Sequence, residues 1–162
     1  MTLGLVVLAN SELPMSVQEF TDETEYRDVL DGDAKVISLT FPEALMYVNG
    51  DATKRANQYN ARASMICAVH NPAYLYNDPI VIGNVIIFGP PDEEGRSTDV
   101  PQELVEILLE TPNYKILLQT ADDKDAWNGN MRRFNEMLDA YDYAVTLAHK
   151  WYAVERVRVV PA

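Results

Sequence analysis

The sequence predicts an α+β fold, a mixed sheet covered by two or three helices with a long C-terminal helix. Three patterns carry this expectation. Short β-branched apolar runs recur at strand length, apolar residues from Asn60 and from Val100 repeat at helical spacing, and a four-and-three rhythm runs from Trp127 to Ala148. With 162 residues, 48% of them apolar, and no linker long enough to divide the chain, residues 1–162 are read as a single domain.

The run from Leu3 to Leu8 reads as a strand covered on both faces. A short helix over Glu23 to Leu30 follows, with Asp31-Gly32-Asp33 as its stop and Gly32 as the residue expected to supply left-handed geometry. Strands are predicted at Lys35 to Thr40 and Ala44 to Val48, with a turn at Asn49-Gly50. Asn60 is placed to cap a helix carrying Ala61, Met65 and Val69, closed by Pro72. Ile80 to Phe88 is the most apolar stretch and reads as one bulged strand or as a tight hairpin about Gly83-Asn84. Gly89 to Gly95 is a solvent loop. Asp99 is expected to cap a helix with Gln102 three residues on and Pro101 in the first turn; its stripe is Val100, Leu104, Ile107 and Leu108. Lys115 to Gln119 is another strand. Trp127, Met131, Phe134, Leu138, Tyr141, Val145 and Ala148 then lie along one side of a predicted helix of about 28 residues capped by Thr120. The alternation Arg156-Val157-Arg158-Val159 is a half-exposed strand.

Charge bounds the function. Twenty-five acidic against thirteen basic residues give a formal charge of -12, a field that opposes direct contact with nucleic acid or an anionic membrane and favours cationic partners. The single cysteine, Cys67, leaves no intramolecular disulfide, and the apolar N-terminal run has no basic flank, so the chain is read as cytoplasmic.

No motif specifies catalysis, a metal or a cofactor. Cys67 and His70 stand three apart on a predicted helix, but the apolar residues around them point to a buried, inert thiol. His149 is read as a cation at a helix C-terminus. The carboxylates of Asp28 to Asp33 and Asp122 to Glu136 lack the register of a calcium loop. What remains is an acidic surface. Seven acids fall in fifteen positions from Glu19 to Asp33, among them Asp22, Glu23, Glu25 and Asp28, and Asp92-Glu93-Glu94 and Asp122-Asp123 add two denser patches. Such a surface suits a host protein with a basic, nucleic-acid-binding groove. An alternative ligand site joins Tyr47, Asn60 and Arg62, where first-turn amides and a guanidinium would meet an anionic small molecule or nucleotide. The Trp127 to Ala148 stripe is read first as a helix face laid on its own sheet and second as the seam of a homodimer.

Between Leu45 and Leu109 the order Met46-Tyr47-Val48-Asn49, Asn60-Ala61-Arg62-Ala63, Asp78 to Pro90 and Thr98-Asp99-Val100-Pro101 resembles a family of small phage and actinobacterial proteins known only as a domain of unknown function. The resemblance leaves out the polar N-terminal segment and everything after Pro112. It assigns no catalytic residue and implies a small accessory protein of a phage or mobile element. The expected function is a non-enzymatic, acidic binding protein that sequesters or blocks a host factor, such as a nucleic-acid-binding defence protein. A small-molecule binder comes second and a hydrolase or transferase third.

Overall fold

The computed structural model describes residues 1–51 and 58–162. The first five strands, β1 (Thr2–Val7), β2 (Ser16–Phe20), β3 (Ala34–Thr40), β4 (Glu43–Asn49) and β5 (Val85–Phe88), form an antiparallel sheet in the order β2-β1-β5-β4-β3. A second antiparallel sheet, β7-β6-β8, joins β6 (Tyr114–Thr120), β7 (Asp123–Gly129) and β8 (Val154–Pro161). The class is α+β, but the strands are divided between two antiparallel sheets instead of forming one mixed sheet.

Alternation along each strand gives the first sheet two working faces. Leu5, Val7, Ala44, Met46, Val85 and Ile87 point into the main core, whereas Val6, Ile86 and Phe88 join Phe20 and Leu30 in a smaller cluster on the opposite side. Helix α1 (Glu23–Leu30) covers that smaller cluster. Helix α2 (Ala61–His70) lies in the main core, where it packs against β3, against α4 (Met137–Lys150) and against β8. The layer of α2 and α4 thus lies between the two sheets. Helix α3 (Gln102–Val105) continues as a wider π turn over Glu106–Glu110, and Leu104, Ile107 and Leu108 are buried as expected. No helix among the described residues is long and apolar enough to cross a membrane.

The largest departure from the sequence pattern lies between Thr120 and Ala148. Thr120 ends β6, Ala121 and Asp122 make a turn, and β7 returns beside β6, pairing Leu118 with Asn128 and Leu117 with Gly129. Trp127 is therefore a strand residue, Met131 is 94% exposed, and Phe134 bridges to Tyr114. Only the later half of the rhythm is helical, with Tyr141, Val145 and Ala148 buried inside the fold. The free edge of β6 outweighs a helical spacing interrupted at Gly129-Asn130. The helix on which a Trp127 to Ala148 dimer seam would depend does not form.

Smaller differences have local causes. Asp31, not Gly32, takes the left-handed C-cap of α1 with φ 58°, while a Cβ on Gly32 would stand 2.6 Å from Asn49 Oδ1. Asp99 does not cap α3; its carboxylate accepts from the Leu3 amide at 2.8 Å and ties the preceding loop to β1. The apolar run becomes a strand only from Val85, because the Val81 carbonyl accepts from the Asn60 amide, the Val81 amide donates to Ser64 Oγ, and the Gly83 amide donates to the Gln58 carbonyl. Strand β2 carries no sequence pattern that announced it; it is held by pairing with β1 over Thr2 to Val6.

Asn60 is the main fastening. Its Oδ1 accepts from the Ala63 amide at 3.0 Å, and its Nδ2 donates to the carbonyls of Val7 and Gly83 at 3.0 and 2.9 Å. One fully buried side chain thereby caps α2 and clamps the end of β1 to the β5 approach. Asn60→Ala removes the cap and leaves two carbonyls dry, which is expected to cost about 2 kcal/mol or more in denaturant unfolding.

Candidate functional site

Asp22 is the N-cap of α1: its Oδ1 accepts from the amides of Thr24 and Glu25 at 2.9 and 3.2 Å. Glu25 reaches back to the Thr21 amide at 2.6 Å, which completes reciprocal capping. Glu23 and Asp28 are exposed on the helix. The helix therefore needs two of its acids for its own start and presents the rest to solvent.

The Asp92 to Ser97 loop approaches the same side of the sheet. Asp92 accepts from the Arg96 amide at 2.8 Å and from Arg96 Nε at 3.0 Å, and Glu94 meets Arg96 Nη2 at 2.8 Å. These bonds, the Arg96 amide first, hold the Asp92 carboxyl below its ordinary range. Gly95 turns the loop with φ 79°.

Between α1 and this loop lies an open cleft of about 540 Å³, walled by Asp22, Glu23, Arg27 and Asp33 on one side and by Gly95, Arg96 and Ser97 on the other. Its floor is Tyr26 and Tyr47, which stack edge to face at 5.6 Å over Phe88, with Phe20 beside Tyr26. Tyr47 shares a 2.7 Å hydrogen bond with Ser97 Oγ. Burial and the nearby Asp22 and Glu23 carboxylates raise the Tyr26 phenol, against an opposing hydrogen bond with Ser97. Arg27 is joined to Asp33 at 2.8 Å.

Of the three predicted acidic patches, the one at α1 borders the cleft, and Asp92 to Glu94 adjoins it by holding Arg96. The third does not: Asp122 and Asp123 sit at the tip of the β6-β7 hairpin in the other sheet. Sequence reading missed Tyr26, Arg96 and Ser97. The i, i+4 spacing of Asp22 and Tyr26 puts them on one helix face, but nothing in the sequence joins Ser97 to Tyr47 across fifty positions.

The alternative ligand site does not assemble. Tyr47 points to the α1 side of the sheet, whereas Asn60 and Arg62 belong to α2 on the other. Asn60 is spent on its three internal bonds, and Arg62, 7% exposed, donates to the carbonyls of Leu8 and Asn10 at 2.8 and 3.2 Å. These two therefore fasten the chain instead of converging on a ligand.

Cys67 and His70 do not form a catalytic pair. Burial pushes the Cys67 thiol up to about 12, and its nearest polar neighbour is Met46 Sδ at 3.5 Å. His70 bonds the Phe41 carbonyl through Nδ1 at 2.9 Å and the Tyr141 hydroxyl through Nε2 at 2.6 Å. A carbonyl can only accept, so Nδ1 carries the proton and Nε2 accepts from Tyr141. His149 Nε2 donates to the Leu75 carbonyl at 2.7 Å. No group of three or more His, Cys, Asp or Glu side chains among the described residues is arranged to hold a metal ion.

A family model described as a domain of unknown function, DUF3846, matches residues 1–113. No curated protein and no solved structure matches the chain. The matched part reaches beyond the Leu45 to Leu109 resemblance to include the polar N-terminal segment, and it holds all five strands of the larger sheet with α1, α2 and α3. It also holds the whole charge surplus: residues 1–113 contain eighteen acids and six bases, and residues 114–162 seven of each.

Burial, ahead of the field of Arg158, pulls the His70 imidazole down to about 4. Its folded value is depressed, so its contribution is complete above the unfolded value of about 6.5 and is lost as pH falls toward 4. Urea unfolding at about pH 7 and about pH 5 is expected to show about 2 kcal/mol more pH-dependent loss in the wild type than in His70→Gln.

Proposed function

The chain belongs to the DUF3846 family, a domain of unknown function, and we propose that it is a non-enzymatic binding protein that engages a basic partner protein through the α1 side of its larger sheet. The observation that carries this reading is a cleft lined by Asp22, Glu23 and Asp33, whose far wall, Arg96, is held by Asp92 and Glu94. From Glu19 to Asp33 and from Asp92 to Arg96, nine further carboxylates accompany Glu19, and only Arg27 and Arg96 oppose them. Lys54 and Arg55 lie outside the described residues. A local surplus of this kind raises the encounter rate with a cationic surface and repels nucleic acid.

In the finer form of the proposal the partner is a host factor whose basic groove otherwise holds nucleic acid, the encounter takes place in the cytoplasm, and the chain serves a phage or mobile element by occupying that groove. Charge complementarity supports the groove. The family resemblance supports the setting.

Titration with a basic DNA-binding domain is the test. Affinity is expected to fall on the order of tenfold or more between about 50 and about 200 mM salt, and the chain should displace duplex DNA from that domain. Binding unchanged across that salt range, or direct binding of the chain to DNA, would contradict the reading.

A further inference from the structure

We propose that the cleft between α1 and the Gly95 to Ser97 turn is a pocket for one arginine side chain of the basic partner. The inference rests on the binding function above and names the group that function recognises. Three observations carry it. The floor presents two half-buried tyrosines, Tyr26 and Tyr47, and an aromatic face attracts a guanidinium laid over it. The lining is anionic even after its own cations are counted: Asp22, Glu23 and Asp33 stand against Arg27 and Arg96, and both arginines are already joined to carboxylates at 2.8 to 3.0 Å, Arg27 to Asp33 and Arg96 to Asp92 and Glu94 beside the cleft. Glu23 makes no ion pair among the described residues and lines the cleft as a carboxylate that an entering cation would meet. The hydroxyls of Thr2, Thr21, Tyr47 and Ser97 line the same space and can accept the remaining guanidinium protons.

An anion would find both wall arginines engaged by carboxylates and a net negative charge among the lining residues. Lysine carries the right charge but a compact, strongly hydrated head, whereas a guanidinium is planar, stacks on aromatic rings and spreads five donors over several acceptors. The volume of about 540 Å³ exceeds one side chain and leaves room for the backbone that delivers it.

Calorimetric titration with a hexa-arginine and a hexa-lysine peptide tests this, on the wild type and on Glu23→Gln, Tyr26→Leu and Glu110→Gln. Glu110 is an exposed acid at the end of the π turn, outside the cleft, so its variant makes the same change in net charge. The arginine peptide should bind about fivefold tighter than the lysine peptide, and Glu23→Gln and Tyr26→Leu should each weaken it by about as much, with Glu110→Gln close to wild type. Tyr26 packs on Phe20 and Phe88, so Glu23→Gln, at a fully exposed position, carries the test alone if Tyr26→Leu does not fold. Equal, salt-sensitive binding of both peptides, or equal weakening by Glu23→Gln and Glu110→Gln, overturns the pocket and leaves the binding function standing. Failure of both peptides to bind the wild type at low salt overturns the two together.

Discussion

Helix α2 is buried over nearly all of its surface, and the rest of the architecture follows from that. Its burial includes Arg62, Ala63, Ser64, Ile66, Cys67, Ala68, Val69 and His70, and only Ala61 and Met65 on one narrow face are half covered. A helix buried on most of its faces must be enclosed by other elements. The five-stranded sheet encloses one side, and α4 with β8, contributed from beyond the family-matched part, encloses the other. The polar groups taken inside are satisfied there: Ser64 Oγ donates to the Asn60 carbonyl and accepts from Val81, and His70 is held between Phe41 and Tyr141. Arg62 is the exception, with its Nε buried and making no hydrogen bond among the described residues.

With α2 on the inner face, only α1 is left for the outer one. Eight helical residues span about 12 Å, while five strands at their usual spacing extend roughly 19 Å between the outer members. One short helix cannot cover that width. The aromatic residues it leaves half covered, Tyr26 and Tyr47, become the floor of the cleft, and the acids of its capped start become the rim. The candidate site is thus a consequence of incomplete coverage beside the acidic start of α1.

Much of the fold was legible because local signals and tertiary demands agreed. Glu23 to Leu30 has a capping acid before it and a stop after it, Asn60 precedes α2, and Arg156 to Val159 alternates as a strand should. Where they disagreed, the non-local partner prevailed: β6 took Asp123 to Gly129 as a neighbour and cancelled half of a helix whose spacing was regular. The acidic patches were legible as composition, since Asp22, Glu23 and Asp92 to Glu94 are visible in any reading of the chain. Their meeting was not, because it depends on β1 lying beside β5, which brings the loop after Phe88 to the helix that follows β2. Asn60 and Arg62 were read as ligand-seeking because a helix start with a guanidinium resembles an anion site. The Val7, Gly83, Leu8 and Asn10 carbonyls that occupy them are distant in sequence.

The central claim is that recognition occurs on the outer face of the larger sheet, and backbone amide shifts during titration with a cationic peptide test it most directly. The account predicts saturable changes confined to Thr21 to Asp33, Tyr47 and Asp92 to Ser97, with β6, β7 and α4 silent. Changes spread evenly over both sheets, or centred on the β6-β7 hairpin, would contradict it.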